Sequence, residues 1–311
     1  MGATEDQGQH EGGGVNLAFV ILQYMAANET VECVESIRAH VGAASYKIVI
    51  VDNCSPDDSY EVVERRFGGA GDVVLIRSDE NLGFARGNNL GYRYAREHLN
   101  PEYVVMLNND VLLFQDGLYE WLLDCERRHG FAVAGPMILT ADGAYTSSPM
   151  LPDRAGIRAD QPATREEFEH DVKNFERKLL LIKLHVYRPI RWAYRKFLKK
   201  PEVGGTGYLS EQVNLRLHGS FLVFSRAYLG AFPEGLDGRT FMYDEEYFLQ
   251  YHVLRRGLTM LYSPAYCVYH KEDASTGATL GSDDVRKARF QLSGMVRSRR
   301  AYLQMLEEEG E

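Results

Sequence analysis

The sequence predicts an α/β protein whose mostly parallel central sheet carries helices on both faces and is interrupted by a helical insertion. Apolar runs of strand length alternate with segments of helical periodicity between residues 15 and 134. The strands are apolar at successive positions, as expected for parallel strands that are buried on both faces. The alternation stops between Pro149 and Pro201, which marks the insertion.

Each element follows from its local pattern. The run from Val15 to Gln23 predicts the first strand, and Val31, Val34 and Ile37 give the first helix its apolar face. By the same criteria we expect strands at 47–51, 73–77, 103–107 and 131–134, and helices at 29–40, 58–67, 85–98 and 118–128. A last helix at 283–308 has an apolar face that could pack on the domain or on a second copy of the chain.

Composition excludes several classes of protein. The net charge of −9 argues against a nucleic-acid binder. No apolar stretch approaches the roughly 20 residues that span a bilayer, and the acidic N-terminus has no signal-peptide pattern. The four cysteines are scattered without a Cys-x-x-Cys pair, which disfavours both a zinc site and a disulfide framework. We therefore expect a cytoplasmic protein.

Polar residues follow four consecutive predicted strands. They are Tyr24 and Asn28, then Asp52-Asn53-Cys54-Ser55, then Asn81 to Asn89, and then Asn108-Asn109-Asp110. Ligands of open α/β sheets bind at the carboxyl ends of the strands. Any one of these residues could instead be a turn or helix-cap residue. Four such strand ends in series favour a ligand site.

In this order and spacing, the motifs resemble family 2 of the inverting glycosyltransferases with the GT-A fold, a group that includes bacterial rhamnosyl-, galactosyl- and glucosyltransferases. The resemblance covers residues 16–276 apart from the insertion. The matching stretches are Ile50 to Ser55, Asn81-x-Gly83-x-Ala85-x-x-Asn88, Leu107 to Asp110, His218-Gly219-Ser220, Thr240 to Leu249, and His270 with Ser275-Thr276. The resemblance implies a nucleoside-diphosphate sugar donor and a Mg²⁺ or Mn²⁺ cofactor.

The chain is then expected to divide into five segments. They are a flexible leader at 1–14, a nucleotide-sugar-binding half at 15–149, a basic amphipathic helical insertion at 150–205, an acceptor and catalytic half at 206–280, and a C-terminal helix at 281–311.

The resemblance places the nucleotide on the first half. Tyr24 could stack on the base, and Asp52 could accept a hydrogen bond from the base or ribose or simply cap its loop. Arg86 opens the third helix, where a guanidinium and free backbone N–H groups could face the diphosphate; the alternative is a solvated arginine. The predicted nucleotide-binding residues are Tyr24, Asp52, Asn81, Gly83, Arg86, Asn88 and Asn109.

The metal and the catalytic base also follow from the resemblance. Asn108-x-Asp110 stands where the family has its Asp-x-Asp signature, so Asp110 is the predicted metal ligand, with His270 as a second ligand or a diphosphate contact. One carboxylate predicts a loosely held Mg²⁺ or Mn²⁺. Inversion needs a base on the acceptor side, for which Glu246 is the first choice and Glu245 the second. His218 and Ser220 are expected to contact sugar hydroxyls of the donor or acceptor.

The insertion has a strong local charge. Residues 177–200 contain nine basic side chains and no acid. At helical spacing the apolar residues of this segment form one stripe and the basic residues lie opposite, which is typical of a helix lying on anionic lipid. Pro189 could divide this helix in two. The alternative is that the stripe packs on the catalytic domain or on a partner subunit.

The leading hypothesis is a metal-dependent inverting hexosyltransferase, peripheral on the inner face of the cell membrane. It would use a UDP-sugar or dTDP-rhamnose and a saccharide acceptor, lipid-linked if the insertion binds membrane, in bacterial surface polysaccharide synthesis. A homodimer is a further possibility. One alternative is a nucleotidyltransferase, although the Gly-rich signature of those enzymes is missing after the first strand. Another is a non-catalytic sugar-nucleotide or glycan-binding protein, against which the intact Asp52, Asp110 and Glu246 argue.

Overall fold

A computed structural model describes residues 14–140, 148–150, 158–187, 206–271 and 283–311. The strands in these ranges are β1 (Leu17–Gln23), β2 (Tyr46–Asp52), β3 (Val73–Arg77), β4 (Tyr103–Asn108), β5 (Val111–Leu113), β6 (Val133–Thr140), β7 (Gln212–Val213), β8 (Phe221–Ser225) and β9 (Met260–His270). The α-helices are α1 (Ala27–His40), α2 (Ser59–Phe67), α3 (Gly83–Tyr94), α4 (Leu118–His129), α5 (Arg165–Lys183), α6 (Arg226–Ala231), α7 (Glu245–Arg255) and α8 (Asp284–Glu308). Residues 1–13 of the predicted leader, 188–205 of the insertion, and Ser275-Thr276 lie outside the described residues.

The nine described strands form one sheet in the order β3-β2-β1-β4-β8-β6-β9-β5, with β7 paired to β9. Strands β1, β2, β3 and β4 are parallel neighbours, and β6 and β9 run in the same direction. The strands β5, β7 and β8 run the opposite way. The predicted α/β class with a mostly parallel sheet is therefore confirmed.

Helices cover both faces of the sheet because successive strand residues point to opposite sides. Leu17, Phe19 and Ile21 of β1 face a core built with α1, α2 and α4. Ala18 and Val20 face a second core built with α3, α6 and α7. A third cluster joins α5, α7 and α8 around a fully buried tyrosine, Tyr302. The C-terminal helix thus packs on its own chain.

The described part of the insertion contains one long helix, which begins before the basic stretch at 177–200 and ends within it. Helix α5 starts at Arg165 behind a capping box, in which Thr164 Oγ1 accepts from Glu167 N and Glu167 Oε2 accepts from Thr164 N. It ends at Lys183, because His185 adopts a positive φ of 60° and Val186 N donates to Leu181 O. This pattern is a Schellman stop. Val186 lies beyond this stop, so the apolar stripe expected within residues 177–200 does not lie on one uninterrupted helix.

Candidate active site

The predicted site residues meet at one edge of the sheet. The registers Gln23↔Asp52 and Leu22↔Asn108 bring the carboxyl ends of β1, β2 and β4 together. Because β8 is antiparallel to β4, its first residue, Phe221, lies opposite Leu107 at the same edge. Residues 218–220, which lead into β8, therefore lie beside the residues that follow β4.

Asp52 is buried and held by its own loop. Its Oδ1 accepts from Gln23 Nε2 at 3.1 Å and its Oδ2 accepts from Ser55 N at 3.0 Å. These contacts give Asp52 the loop-capping role foreseen as the alternative, and each oxygen retains a second lone pair for a ligand. Tyr24 is half-buried directly after β1. Both remain predicted nucleotide contacts.

Asn53, which the sequence reasoning did not select, organises the start of α3. Its Oδ1 accepts from Leu82 N at 2.9 Å, and its Nδ2 donates to Asn81 Oδ1 and to Gly83 O, both at 3.1 Å. Asn81 Oδ1 also accepts from Gly83 N. Asn81 therefore shapes the loop as well as facing solvent. For Asn53, the available signal in the sequence was its position as a polar residue directly after Asp52.

The remaining amides of this block are also tied to the protein. Asn88 Nδ2 donates to Phe84 O, while Asn88 Oδ1 is buried without a partner among the described residues. Asn109 Nδ2 donates to Ala26 O and Thr30 Oγ1 at the start of α1, which favours a structural role for this predicted nucleotide contact. Arg86, by contrast, is exposed, and its guanidinium lies 3.7 Å from Glu80 in a loose surface pair that an incoming anion could displace.

Gly83 begins α3 in a conformation that favours glycine. Its φ is +75°, and an added Cβ would collide with the carbonyl oxygen of Phe241, which accepts from Phe84 N at 2.6 Å. Helix α3, which carries Arg86, is thereby joined to the loop that precedes the acidic segment Asp244-Glu245-Glu246.

Gly83→Ala should lower the free energy of unfolding by about 3 kcal/mol, since it adds a backbone clash to the cost of a left-handed residue. Gly42→Ala is the matched control. Gly42 has a φ of +74°, and no described atom lies within 4 Å of its added Cβ. The control should lose only about 1 kcal/mol in urea denaturation. Equal losses would show that the contact with Phe241 is unimportant.

Asp110 and His270 are buried together. His270 Nε2 lies 3.1 Å from Asp110 Oδ1, and β5 pairs with β9 so that Val111 is opposite His270. His270 Nδ1 has no partner in the described part of the chain. The carboxylate oxygen of Asp110 suits Mn²⁺ or Mg²⁺ if phosphate oxygens and water complete the shell. The described residues hold no cluster of three or more such ligands, so the pair fits only a weakly held ion.

The acidic segment places three carboxylates at the start of α7 with three different partners. Glu246 Oε1 accepts from Gly219 N at 3.0 Å, and Glu245 Oε1 accepts from Thr240 Oγ1 at 2.9 Å. Asp244 pairs with Arg299 of α8. Burial raises the pKa of Glu246, and burial together with the charge of Glu246 raises the pKa of Glu245 to about 8. Both glutamates therefore have the raised basicity that suits proton transfer.

Residues 218–220 connect the acids at the start of α7 to the Asn108-x-Asp110 motif. Gly219 N binds Glu246, and Ser220 O accepts from Asn108 N at 2.9 Å. A Cβ at Gly219 would lie 2.8 Å from Glu246 Oε1, so a larger residue here would displace the carboxylate from its present position. Gly219 was not among the predicted site residues, because no local pattern reveals a contact with a side chain 27 positions away.

His218 belongs to the connecting loop 218–220 and lies close to His270. Its ring centroid is 5.8 Å from that of His270, and its Nδ1 lies 2.8 Å from Ser220 Oγ and 3.2 Å from Ser220 N. Burial lowers the pKa of His218 to about 4, so the imidazole is neutral near pH 7. Because Nδ1 accepts from Ser220 N, the proton belongs on Nε2, which becomes a hydrogen-bond donor.

Comparison with known proteins identifies this architecture. The family model described as Glycosyl transferase family 2 matches residues 19–198, more than half of the chain. The chain belongs to Glycosyl transferase family 2. The family expected from the motifs is thus confirmed. The match includes Asp52, Arg86 and Asp110, while Glu246 and His270 lie beyond it.

Individual relatives of this family 2 chain are distant. The low-salt glycan biosynthesis hexosyltransferase Agl10 of Haloferax volcanii is 25% identical over 144 residues, which are 46% of this chain and 43% of the relative. The chain thus matches less than half of that relative's length. GalNAc-T7, solved with UDP, GalNAc and Mn²⁺, shares 14% identity with a TM-score of 0.53, covering 89% of this chain and 50% of that chain. S. aureus TarS 1–349 shares 12% identity with a TM-score of 0.47, covering 92% of this chain and 71% of that chain.

Proposed function

We propose that this family 2 chain is an inverting hexosyltransferase that uses a nucleoside-diphosphate sugar and a saccharide acceptor. The observation that carries the proposal is the loop at 218–220, which binds the carboxylate of Glu246 on one side and the backbone of Asn108 on the other. This loop therefore links a base candidate to the metal motif, which supports a shared site for the two. The division into a donor half at 15–149 and an acceptor half at 206–280 belongs to the same proposal.

The proposed reaction needs one proton acceptor on the side of the acceptor sugar. Glu246 takes the proton of the acceptor hydroxyl while the hydroxyl oxygen attacks the anomeric carbon. The bond from that carbon to the diphosphate oxygen breaks, and the nucleoside diphosphate leaves with the electron pair. Burial raises the pKa of Glu246, which strengthens it as a base. Glu245 is the second candidate.

Asp110 and His270 are the residues that would hold Mg²⁺ or Mn²⁺. A bound divalent cation supplies electrostatic stabilisation of the diphosphate charge. The presence of Mn²⁺ with UDP in the GalNAc-T7 structure supports this assignment through the shared fold. The chain's own contribution is Arg86 and the start of α3, which can bind phosphate oxygens, and the Nε2–H of His218, which can bind a sugar hydroxyl or phosphate oxygen.

A panel of sugar nucleotides tests the donor. UDP-hexoses and dTDP-rhamnose are each added with and without Mn²⁺ while thermal unfolding is followed, because a ligand that binds only the folded state raises Tm. One nucleotide class should raise Tm, and that donor should then be consumed when saccharide acceptors are added. Binding without transfer to any acceptor would favour a non-catalytic sugar-nucleotide-binding protein. No stabilisation by any donor would contradict the proposal.

The proposed acceptor is a lipid-linked saccharide at the inner face of the membrane, in bacterial surface polysaccharide synthesis. The described part of the chain has no helix whose length and apolarity would let it span a bilayer. The end of α5 and its turn expose Leu180, Leu184 and Val186 beside Arg177, Lys178 and Lys183. Exposed apolar side chains flanked by cations suit an anionic lipid surface.

Replacing Arg177, Lys178 and Lys183 together by Gln should lower the affinity for phosphatidylserine vesicles, measured by sedimentation, by roughly 100-fold. Each basic residue near the membrane surface contributes about 1 kcal/mol to binding. The control replaces Arg65, Arg66 and Arg127 by Gln, which removes the same charge from exposed positions elsewhere. Wild-type binding should disappear in high salt. Failure of the wild type to sediment at low salt would refute the membrane proposal.

A further inference from the structure

The turn Met242-Tyr243-Asp244, directly before α7, is held in an unfavourable backbone conformation. Tyr243 and Asp244 have φ values of 76° and 67°, in the left-handed region that non-glycine residues avoid. Glu245 and Glu246 follow directly, so the course of this turn sets the direction in which both carboxylates point. Contacts from elsewhere in the protein must hold such a turn in place.

One face of the C-terminal helix α8 supplies those contacts. A Cβ on Gly294 would lie 2.5 Å from Tyr243 Cδ2, so the glycine makes room for the tyrosine ring. Ser298 Oγ donates to Met242 O at 3.2 Å. Arg299 Nε donates to Asp244 Oδ2 at 2.8 Å, with Nη2 at 3.4 Å from Oδ1. Each of the three residues of the turn is therefore contacted by α8.

Arg299 is the centre of this arrangement. Its side chain is 8% exposed, and its Nη1 also pairs with Asp171 of α5. The guanidinium lies 5.0 Å from the ring centroid of Phe168, 4.7 Å from that of Phe175 and 5.4 Å from that of Tyr247. A buried guanidinium needs charged partners to offset the loss of water. Two carboxylates provide this charge, and three aromatic faces add cation–π contacts, so that α5, α7 and α8 meet at one side chain.

We infer that Arg299 is a positioning residue for transfer, which acts through Asp244 to keep Glu246 on Gly219 and directed at the acceptor hydroxyl. The inference rests on the proposed role of Glu246 as the base. It gives the C-terminal helix, which lies beyond the region matched by the family model, a part in catalysis.

Arg299→Met tests the inference, with Arg297→Met as the matched control on the exposed side of the same helix. For Arg299→Met, kcat should fall on the order of 100-fold, because a small displacement of a reacting group is enough for that loss. The donor KM should stay within about twofold, because the contacts of Arg299 among the described residues, with Asp244, Asp171 and three aromatic rings, include none of the residues proposed to bind the nucleotide. Amide hydrogen exchange over residues 242–247 should become faster in Arg299→Met only. Unchanged kcat and unchanged exchange would overturn the inference.

A double-mutant cycle shows whether Arg299 acts through Asp244. Asp244→Asn should resemble Arg299→Met, and the double variant should be no slower than the slower single variant. If the losses of kcat in the two single variants multiply in the double variant, the coupling through Asp244 is overturned.

If Arg299→Met does not fold, Gly294→Ala and Ser298→Ala disturb the same turn without removing a charge. Both should speed exchange over 242–247 and lower kcat, and normal values in both would overturn the inference. If the wild type binds donor but transfers nothing, the proposed function fails, and exchange alone decides whether Arg299 holds the turn.

Discussion

Glu246→Gln should slow transfer by about 10² to 10⁴-fold while leaving donor binding intact. The amide keeps an oxygen that can accept from Gly219 N, so the local hydrogen bond survives. It has no basic lone pair that could take the proton of the acceptor hydroxyl, and loss of a general base costs about 10² to 10⁴ in rate. Single-turnover transfer, with the donor Kd measured separately by calorimetry, distinguishes loss of the base from loss of binding.

Glu245→Gln is the matched comparison, because Glu245 adjoins Glu246 and accepts from Thr240 through an oxygen that the amide retains. Its transfer rate should fall much less. The pH profile gives a second check, because the base must be deprotonated. Since burial raises the pKa of Glu246, the rate should fall, as pH decreases, at a pH above the usual titration range of a glutamate. Full transfer by Glu246→Gln together with loss in Glu245→Gln would move the base to Glu245.

Asp110→Asn should remove the metal-dependent part of donor binding. The neutral amide cannot replace the anionic oxygen that a hard divalent cation prefers. At a donor concentration of 100 times Kd, binding stabilises the wild type by about 2.7 kcal/mol, and the share that needs Mn²⁺ should vanish in the variant. Thermal unfolding with donor, with and without Mn²⁺, measures this share.

The control for this experiment is Asp116→Asn, the same change at an acid whose side chain is 79% exposed and paired with His40. Its response to Mn²⁺ should match the wild type. Because Asp110 also pairs with His270, the Tm of each variant without ligands must be recorded first. An undiminished Mn²⁺ response in Asp110→Asn would exclude Asp110 as a metal ligand.

Three strands of the first half could be predicted closely because their signal is local. The mostly apolar runs at 47–51, 73–77 and 103–107 lie in β2, β3 and β4 with boundaries that differ by at most one residue, whereas the strand expected at 131–134 extends over Val133–Thr140. The third helix was expected from Ala85, but it begins at Gly83, where Phe84 N binds Phe241 O from the other half of the chain. No local pattern reveals such a contact, because it depends on how the halves fold together.

The insertion and the acceptor side were harder to predict for the same reason. The basic residues that indicate a helix begin at Arg177, whereas α5 starts behind the cap at Thr164. Arg299 lies in a helix where basic residues usually face solvent. Its burial follows only from the convergence of α5, α7 and α8 in the fold.

The arrangement around Arg299 constrains how this protein could be recombined with its relatives. A chimera that exchanged only the segment around Glu246 would bring in a foreign turn without the helix that supports it. An exchange of segments meant to transfer acceptor specificity should therefore include residues 218–255 together with α8 and α5, the helix that carries Asp171. The smallest exchangeable unit is discontinuous in sequence, although it is contiguous in space.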